Sequence, residues 1–211
     1  TAIGYEALFS NKGDYNTAVG YGAARSSSTA ANCTAVGTKA LFSSDANENT
    51  AIGYYAGYSA TGGYVTYVGS SAGQNMQNGA NTAVGYSAMQ ASGTPANNTG
   101  AYNSAFGMYA LSSLTSGNYN TALGHNTLNL ITSGSENTAV GYGASSSATT
   151  VTGSTAFGVS ALSNNQTGSA QTALGNRSME KMGGSYNTAV GYYALQGSGT
   201  FANNTGTYNV V

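Results

Sequence analysis

An all-β parallel solenoid, wound from coils of 16 or 17 residues, is the fold this sequence predicts, on three observations. A four-residue pattern, Thr-Ala-apolar-Gly, recurs along the whole chain. Only 5% of the residues are charged, whereas 17 are Tyr and 31 are Gly, a balance too aromatic and too uncharged for a disordered polymer. The period is too short for helical solenoids, and β-branched and aromatic residues interleaved with Gly suit short strands.

The pattern begins at Thr1, Thr17, Thr34, Thr50, Thr66, Thr82, Ser104, Thr121, Thr138, Thr155, Thr172 and Thr188. Neighbouring copies lie 16 or 17 residues apart, except after Thr82 and Thr188, where the step is 22 and a partial copy at Asn209, Val210 and Val211 follows the second. Both long steps carry the same insert, Ala96-Asn97-Asn98-Thr99-Gly100 and Ala202-Asn203-Asn204-Thr205-Gly206. The chain therefore divides into two six-coil superunits, residues 1–103 and 104–211, forming one repetitive rod that is expected to continue in a longer polymer. With rungs about 4.8 Å apart, twelve coils make a rod of roughly 60 Å.

Down the third position stand Ile3, Val19, Val36, Ile52, Val68, Val84, Phe106, Leu123, Val140, Phe157, Leu174 and Val190, an unbroken apolar column expected to be a buried structural core. The invariant Gly that follows implies a bend or a positive φ closed to other residues. Asn precedes most copies, as at Asn16, Asn49, Asn81, Asn103, Asn120, Asn137, Asn187 and Asn209, and stacked Asn side chains can bond from rung to rung. A second β-compatible segment, commonly Ala-Leu as in Ala7-Leu8 and Ala40-Leu41, is expected beyond the Gly.

Alternation in an extended Thr-Ala-Val-Gly segment sends Thr and Val to one face, Ala and Gly to the other. The small face fills a narrow coil, so the apolar column needs a second surface. Each such side chain is worth roughly 1.5–3 kcal/mol when fully buried, and a bare stripe of them invites aggregation. Three chains closing around a shared axis, a homotrimer, is the expected remedy.

Composition also sets aside several functions. Five Lys and Arg in 211 residues give no phosphate-binding surface, so nucleic acid is not expected as a partner. No apolar run is long enough for membrane insertion as a helix. One Cys and one His cannot build a disulfide framework, a His-rich metal site or a base pair of groups, and with no convergent titratable cluster neither an enzyme nor a cofactor is expected. His125 reads as a replaced Tyr, Cys33 as a ladder residue, and Glu180 with Lys181 as a solvated loop edge by default, with an ion pair as the alternative. The column after the Gly, with Tyr5, Tyr21, Tyr54, Tyr86, Tyr142 and Tyr192, is expected to brace successive rungs or to contact glycans. Asn-x-Ser/Thr sequons occur at Asn32, Asn97, Asn165, Asn176 and Asn203, and the recurrent pair Asn97 and Asn203 are candidate glycosylation sites. A regular Thr column suggests ice binding, weakened by there being one regular Thr per coil.

The motif Asn49-Thr50-Ala51-Ile52-Gly53 resembles the head repeats of YadA-like trimeric autotransporter adhesins. Asn187-Thr188-Ala189-Val190-Gly191-Tyr192-Tyr193-Ala194-Leu195 is similar to the repeat arrays of phage tail-fibre proteins. The resemblance spans the chain and implies a left-handed β-roll, trimeric, extracellular on a virion tail or cell surface, although the coil is longer than in the adhesin heads. The implied function is a rigid spacer in a fibre. The alternative is an adhesin module that binds glycans or host matrix.

Overall fold

The computed structural model describes residues 1–91, 94–197 and 206–211. Twelve short strands follow one another along the chain: β1 (Ala2–Ile3), β2 (Thr17–Val19), β3 (Thr34–Val36), β4 (Thr50–Ile52), β5 (Thr66–Val68), β6 (Thr82–Val84), β7 (Ser104–Phe106), β8 (Thr121–Leu123), β9 (Thr138–Val140), β10 (Thr155–Phe157), β11 (Thr172–Leu174) and β12 (Thr188–Val190). They form one parallel sheet in sequential order, each strand bonded to the coil before and the coil after. The architecture is the expected parallel β-solenoid. Equivalent residues pair without slippage, as in Thr17↔Thr34, Ala18↔Ala35 and Val19↔Val36, and the pairing Thr82↔Ser104 carries the sheet across the 22-residue step. That step is absorbed sideways, where a single 3-10 turn spans Pro95–Asn97.

Each coil contains one strand rather than two. The Ala-Leu segment is a turn: Leu8, Leu41, Leu111, Leu128 and Leu162 all have φ between 48° and 55°, a left-handed conformation that no strand contains. The residue two positions earlier is also left-handed (Glu6, Lys39, Tyr109, Asn126 and Ser160), so the chain bends by alternation. Coils remain bonded through this region. The amide of Gly22 donates to Tyr5 O (2.8 Å) in the coil before, and that of Ala24 donates to Ala40 O (2.9 Å) in the coil after. These cross-coil bonds stabilise residues whose conformation is costly in isolation.

The invariant Gly is required twice over. Gly20 has φ +132° and Gly141 φ +129°, and a Cβ on either would lie 2.6 Å from the carbonyl oxygen of the corresponding Gly in the next coil. Any side chain here would strain the backbone and also separate the coils.

The core is narrow and lies inside each coil. Ala18, Ala35, Ala51, Ala83, Ala105, Ala122, Ala139, Ala156, Ala173 and Ala189 form its first column, and Ala23, Ala40, Ala56, Ala72, Ala88, Ala110, Ala144 and Ala161 its second. Where a hydroxyl enters the second column it bonds a backbone carbonyl, as Thr127 Oγ1 does to Gly141 O (2.7 Å). Leu41, Met89, Leu111, Leu128, Leu162 and Met179 complete the filling. Tyr67 breaks the first column and is fully enclosed. Room for its ring comes from Gly57 and Gly73, which stand where other coils have Leu or Met; a Cβ at Gly57 would already touch the ring at 3.0 Å.

The apolar column is in the expected register and faces out of the coil, on the side where alternation leaves it needing a second surface. Ile3, Ile52, Phe106, Leu123, Phe157, Leu174 and Val190 are between 41% and 59% exposed, while Val19, Val36, Val68, Val84 and Val140 are half-buried by their neighbours. The physical reason is the pleat: with Ala at the middle of a three-residue strand pointing inward, its two flanking side chains must point outward.

Candidate functional site: the outward column and its ladders

Three sets of side chains run the length of the rod. The outward apolar column rises from the strands, with the Thr column beside it on the same face, exposed at Thr121, Thr138 and Thr155. No charged residue belongs to either column.

The second set is the asparagine ladder, buried at Asn49, Asn81, Asn103, Asn120, Asn137 and Asn187. Each Asn works in two directions. Asn120 Nδ2 donates to Asn103 Oδ1 (3.1 Å) and to Gly134 O of the next coil (2.8 Å), while its Oδ1 accepts both the amide (3.1 Å) and the side chain (2.9 Å) of Asn137. Such bonds satisfy the backbone exactly where the coil turns from loop into strand, and a buried carbonyl or amide left alone there costs about 1–3 kcal/mol. Cys33, Val65, Ser154 and Gln171 interrupt the series. Cys33 is a ladder residue as expected: its amide bonds Asn16 Oδ1 (2.9 Å), its Sγ faces Ala31 O and Ala46 O (3.4 Å each), and burial pushes its thiol ionisation up.

The third set is aromatic. Tyr5 stacks on Tyr21 (centroids 5.5 Å), and His125 stacks on Tyr142 (5.3 Å) in the position of a missing Tyr. Tyr86 meets Tyr109 edge-on, and Tyr54 and Tyr192 pack against the adjoining Tyr55 and Tyr193. Sequence reasoning missed a second Tyr column, immediately before the Asn. There Tyr102 stacks on Tyr119 and Tyr186 on Tyr208, both at 5.1 Å and almost parallel. Five Tyr-Asn dipeptides, at Tyr15, Tyr102, Tyr119, Tyr186 and Tyr208, were the available signal.

Three of the five Lys and Arg side chains, Arg25, Lys39 and Arg177, lie over aromatic rings. Arg25 pairs with Glu6 and lies over Phe9 and Phe42 at 5.4 and 5.6 Å. Lys39 Nζ donates to Tyr55 Oη (2.9 Å), which raises the Lys39 ionisation and lowers that of Tyr55. Glu180 faces Arg177 at 4.0 Å and forms no ion pair with Lys181.

The sequons separate by burial. Asn97 is exposed on the lateral turn, bonded to Thr94 Oγ1 (3.0 Å), and Asn32 and Asn176 are also exposed. Asn165 is fully buried and bonded to Gly168, which closes it to a glycan in the folded chain. Asn203 lies outside the described residues. Among the described residues no three His, Cys, Asp or Glu side chains gather as a metal site, and no helix is long and apolar enough to cross a membrane. A shallow open groove of about 440 Å³ beside Tyr142 is lined mainly by Ser and Asn.

Fold and surface together define a repetitive β-solenoid with an outward apolar column. Comparison with protein-family models, with curated proteins and with solved structures returns no match for this chain.

Proposed function

We propose that this chain is a rigid structural segment of an extracellular fibre, a spacer in a phage tail fibre or a bacterial surface filament, self-associated as a homotrimer. The observation that carries the reading is the apolar column, aligned over twelve strands and half-exposed on the single chain. A stripe of this length on a soluble surface marks an association face. Uniform rungs, ladders on several faces and few charges suit a stiff rod, and among the described residues no acid, base and nucleophile side chains converge. Sedimentation of the chain at nanomolar to micromolar concentration, with electron microscopy of the same material, tests this. Trimeric rods are expected, and a folded monomer throughout would reject self-association.

The adhesin alternative draws on the exposed tyrosines. Tyr102 and Tyr119, Tyr186 and Tyr208, and Tyr5 and Tyr21 each use one ring face to stack on the neighbouring coil along the axis, although the rings remain 50–75% exposed. Bracing is the reading this geometry favours. A glycan and matrix-protein array probed with this chain is expected to stay blank.

A further inference from the structure

The outward column has a longer rhythm than the coil. Read in order it is Ile3, Val19, Val36; Ile52, Val68, Val84; Phe106, Leu123, Val140; Phe157, Leu174, Val190: one three-coil pattern given twice, then a second given twice. No contact inside the chain explains a period of three, since each strand pairs only with the coils directly before and after it. Simple duplication of a three-coil unit would have left the same period on every column. The inner position that holds Leu8, Ala24 and Leu41 continues instead as Gly57, Gly73 and Met89, and the Tyr position runs Tyr5, Tyr21, Thr38 and then Tyr54, Ser70, Tyr86. Strict periodicity persists where side chains leave the molecule, so it reports on what they meet outside.

Resting on the self-association reading above, we propose that three copies pack their outward columns around one axis with each copy displaced by one coil, about 4.8 Å, relative to the next. Displacement equalises the layers. Where three copies overlap within one half, each level of the second half then holds one Phe, one Leu and one Val, and each level of the first half one Ile and two Val. Copies in register would instead place three Phe on one level and three Val two rungs away, leaving a shared core overfilled at one height and hollow at another. Three successive one-coil displacements add up to three coils, after which the column repeats itself, so the third copy meets the first through the same residue pattern. Only a three-coil period closes three copies in this way.

Disulfide trapping on the full chain tests the displacement. In a Cys33→Asn background, chains carrying Val19→Cys and chains carrying Val36→Cys are folded together, oxidised, and compared with each alone. Displacement predicts several-fold more linked dimer in the mixture than in either single preparation, and the same for Val68→Cys with Val84→Cys should one pair fail to fold. Efficient linkage within Val19→Cys alone would overturn displacement in favour of copies in register. Linkage of Val19→Cys to Leu174→Cys would overturn it in favour of an antiparallel pair. A wild-type chain that stays monomeric defeats the self-association reading itself, and that result is visible before any Cys is introduced.

Discussion

Coils 7 to 9 and coils 4 to 5 solve the same packing problem with different chemistry. In the former, Asn103, Asn120 and Asn137 bond to one another in an unbroken run, and the interior beside them is plain, with Ala105, Ala122 and Ala139 backed by Leu111, Leu128, Leu114 and Ile131. In the latter, Val65 takes the Asn place and Tyr67 takes the Ala place two residues later, with Gly57 and Gly73 giving up the volume its ring occupies. Asn49, which follows Cys33 and so has no Asn before it, turns its Nδ2 to Ser44 Oγ (3.1 Å) in its own coil; Asn16 likewise bonds Asn11 Oδ1 (2.9 Å). The side-chain NH2 of a ladder Asn finds an acceptor from its own coil where the coil before supplies none.

The largest effect is expected from Tyr67→Ala, which removes a fully enclosed ring from a coil already thinned by two Gly and should cost about 3–5 kcal/mol. Adding Gly57→Leu and Gly73→Leu refills the space. Both positions already hold φ near +58°, the conformation Leu adopts in the same column elsewhere, so denaturant titration should show most of the loss recovered.

Asn120→Leu should cost about 3–5 kcal/mol by leaving Gly134 O and the amide of Asn137 unbonded in the interior. A double-mutant cycle sharpens the contrast. Asn103 and Asn120 should show a coupling of roughly 0.5–3 kcal/mol, whereas Asn49 and Asn81, separated by Val65, should be additive.

Cys33→Asn joins Asn16 to Asn49 and should stabilise by about 1 kcal/mol, since the Cys33 Sγ already points at Ala46 O, which an Asn side chain would meet. An unchanged midpoint would show that the polar residues around the gap compensate fully.

The smallest effect concerns the Tyr67 hydroxyl, which is enclosed and makes no hydrogen bond of normal geometry. Burial raises its ionisation well above the ordinary 10.0, with the nearby Asn81 side chain offsetting a little of the rise. The fold thus favours the neutral phenol. Its contribution is intact below pH 10 and is lost as pH climbs from there toward the raised folded value. Tyr67→Phe should match or exceed wild type by up to about 1 kcal/mol at neutral pH. It should also lose less stability than wild type in melts above pH 10.

The register of every strand was legible in the sequence because each coil repeats the same four-residue signature and a solenoid places equivalent residues directly above one another. The Gly requirement and the Asn ladder followed from the same columns. The second Tyr column was open to reading in the Tyr-Asn dipeptides, although those dipeptides occur in fewer than half of the coils. Periodicity could not tell that Ala-Leu is a turn, because small and apolar residues suit a strand as well as they suit a left-handed bend held by its neighbours.

Composition and spacing alone determined that this chain stacks, how its coils align and which side chains share a column. Only the tertiary structure decided that the Ala-Leu segment is a left-handed bend and not a second strand, since that conformation is held by bonds to the neighbouring coils. Within each strand the pleat turns the middle residue, Ala or Tyr67, inward and its flanking side chains outward, while Leu and Met from the bend fill the rest of the interior.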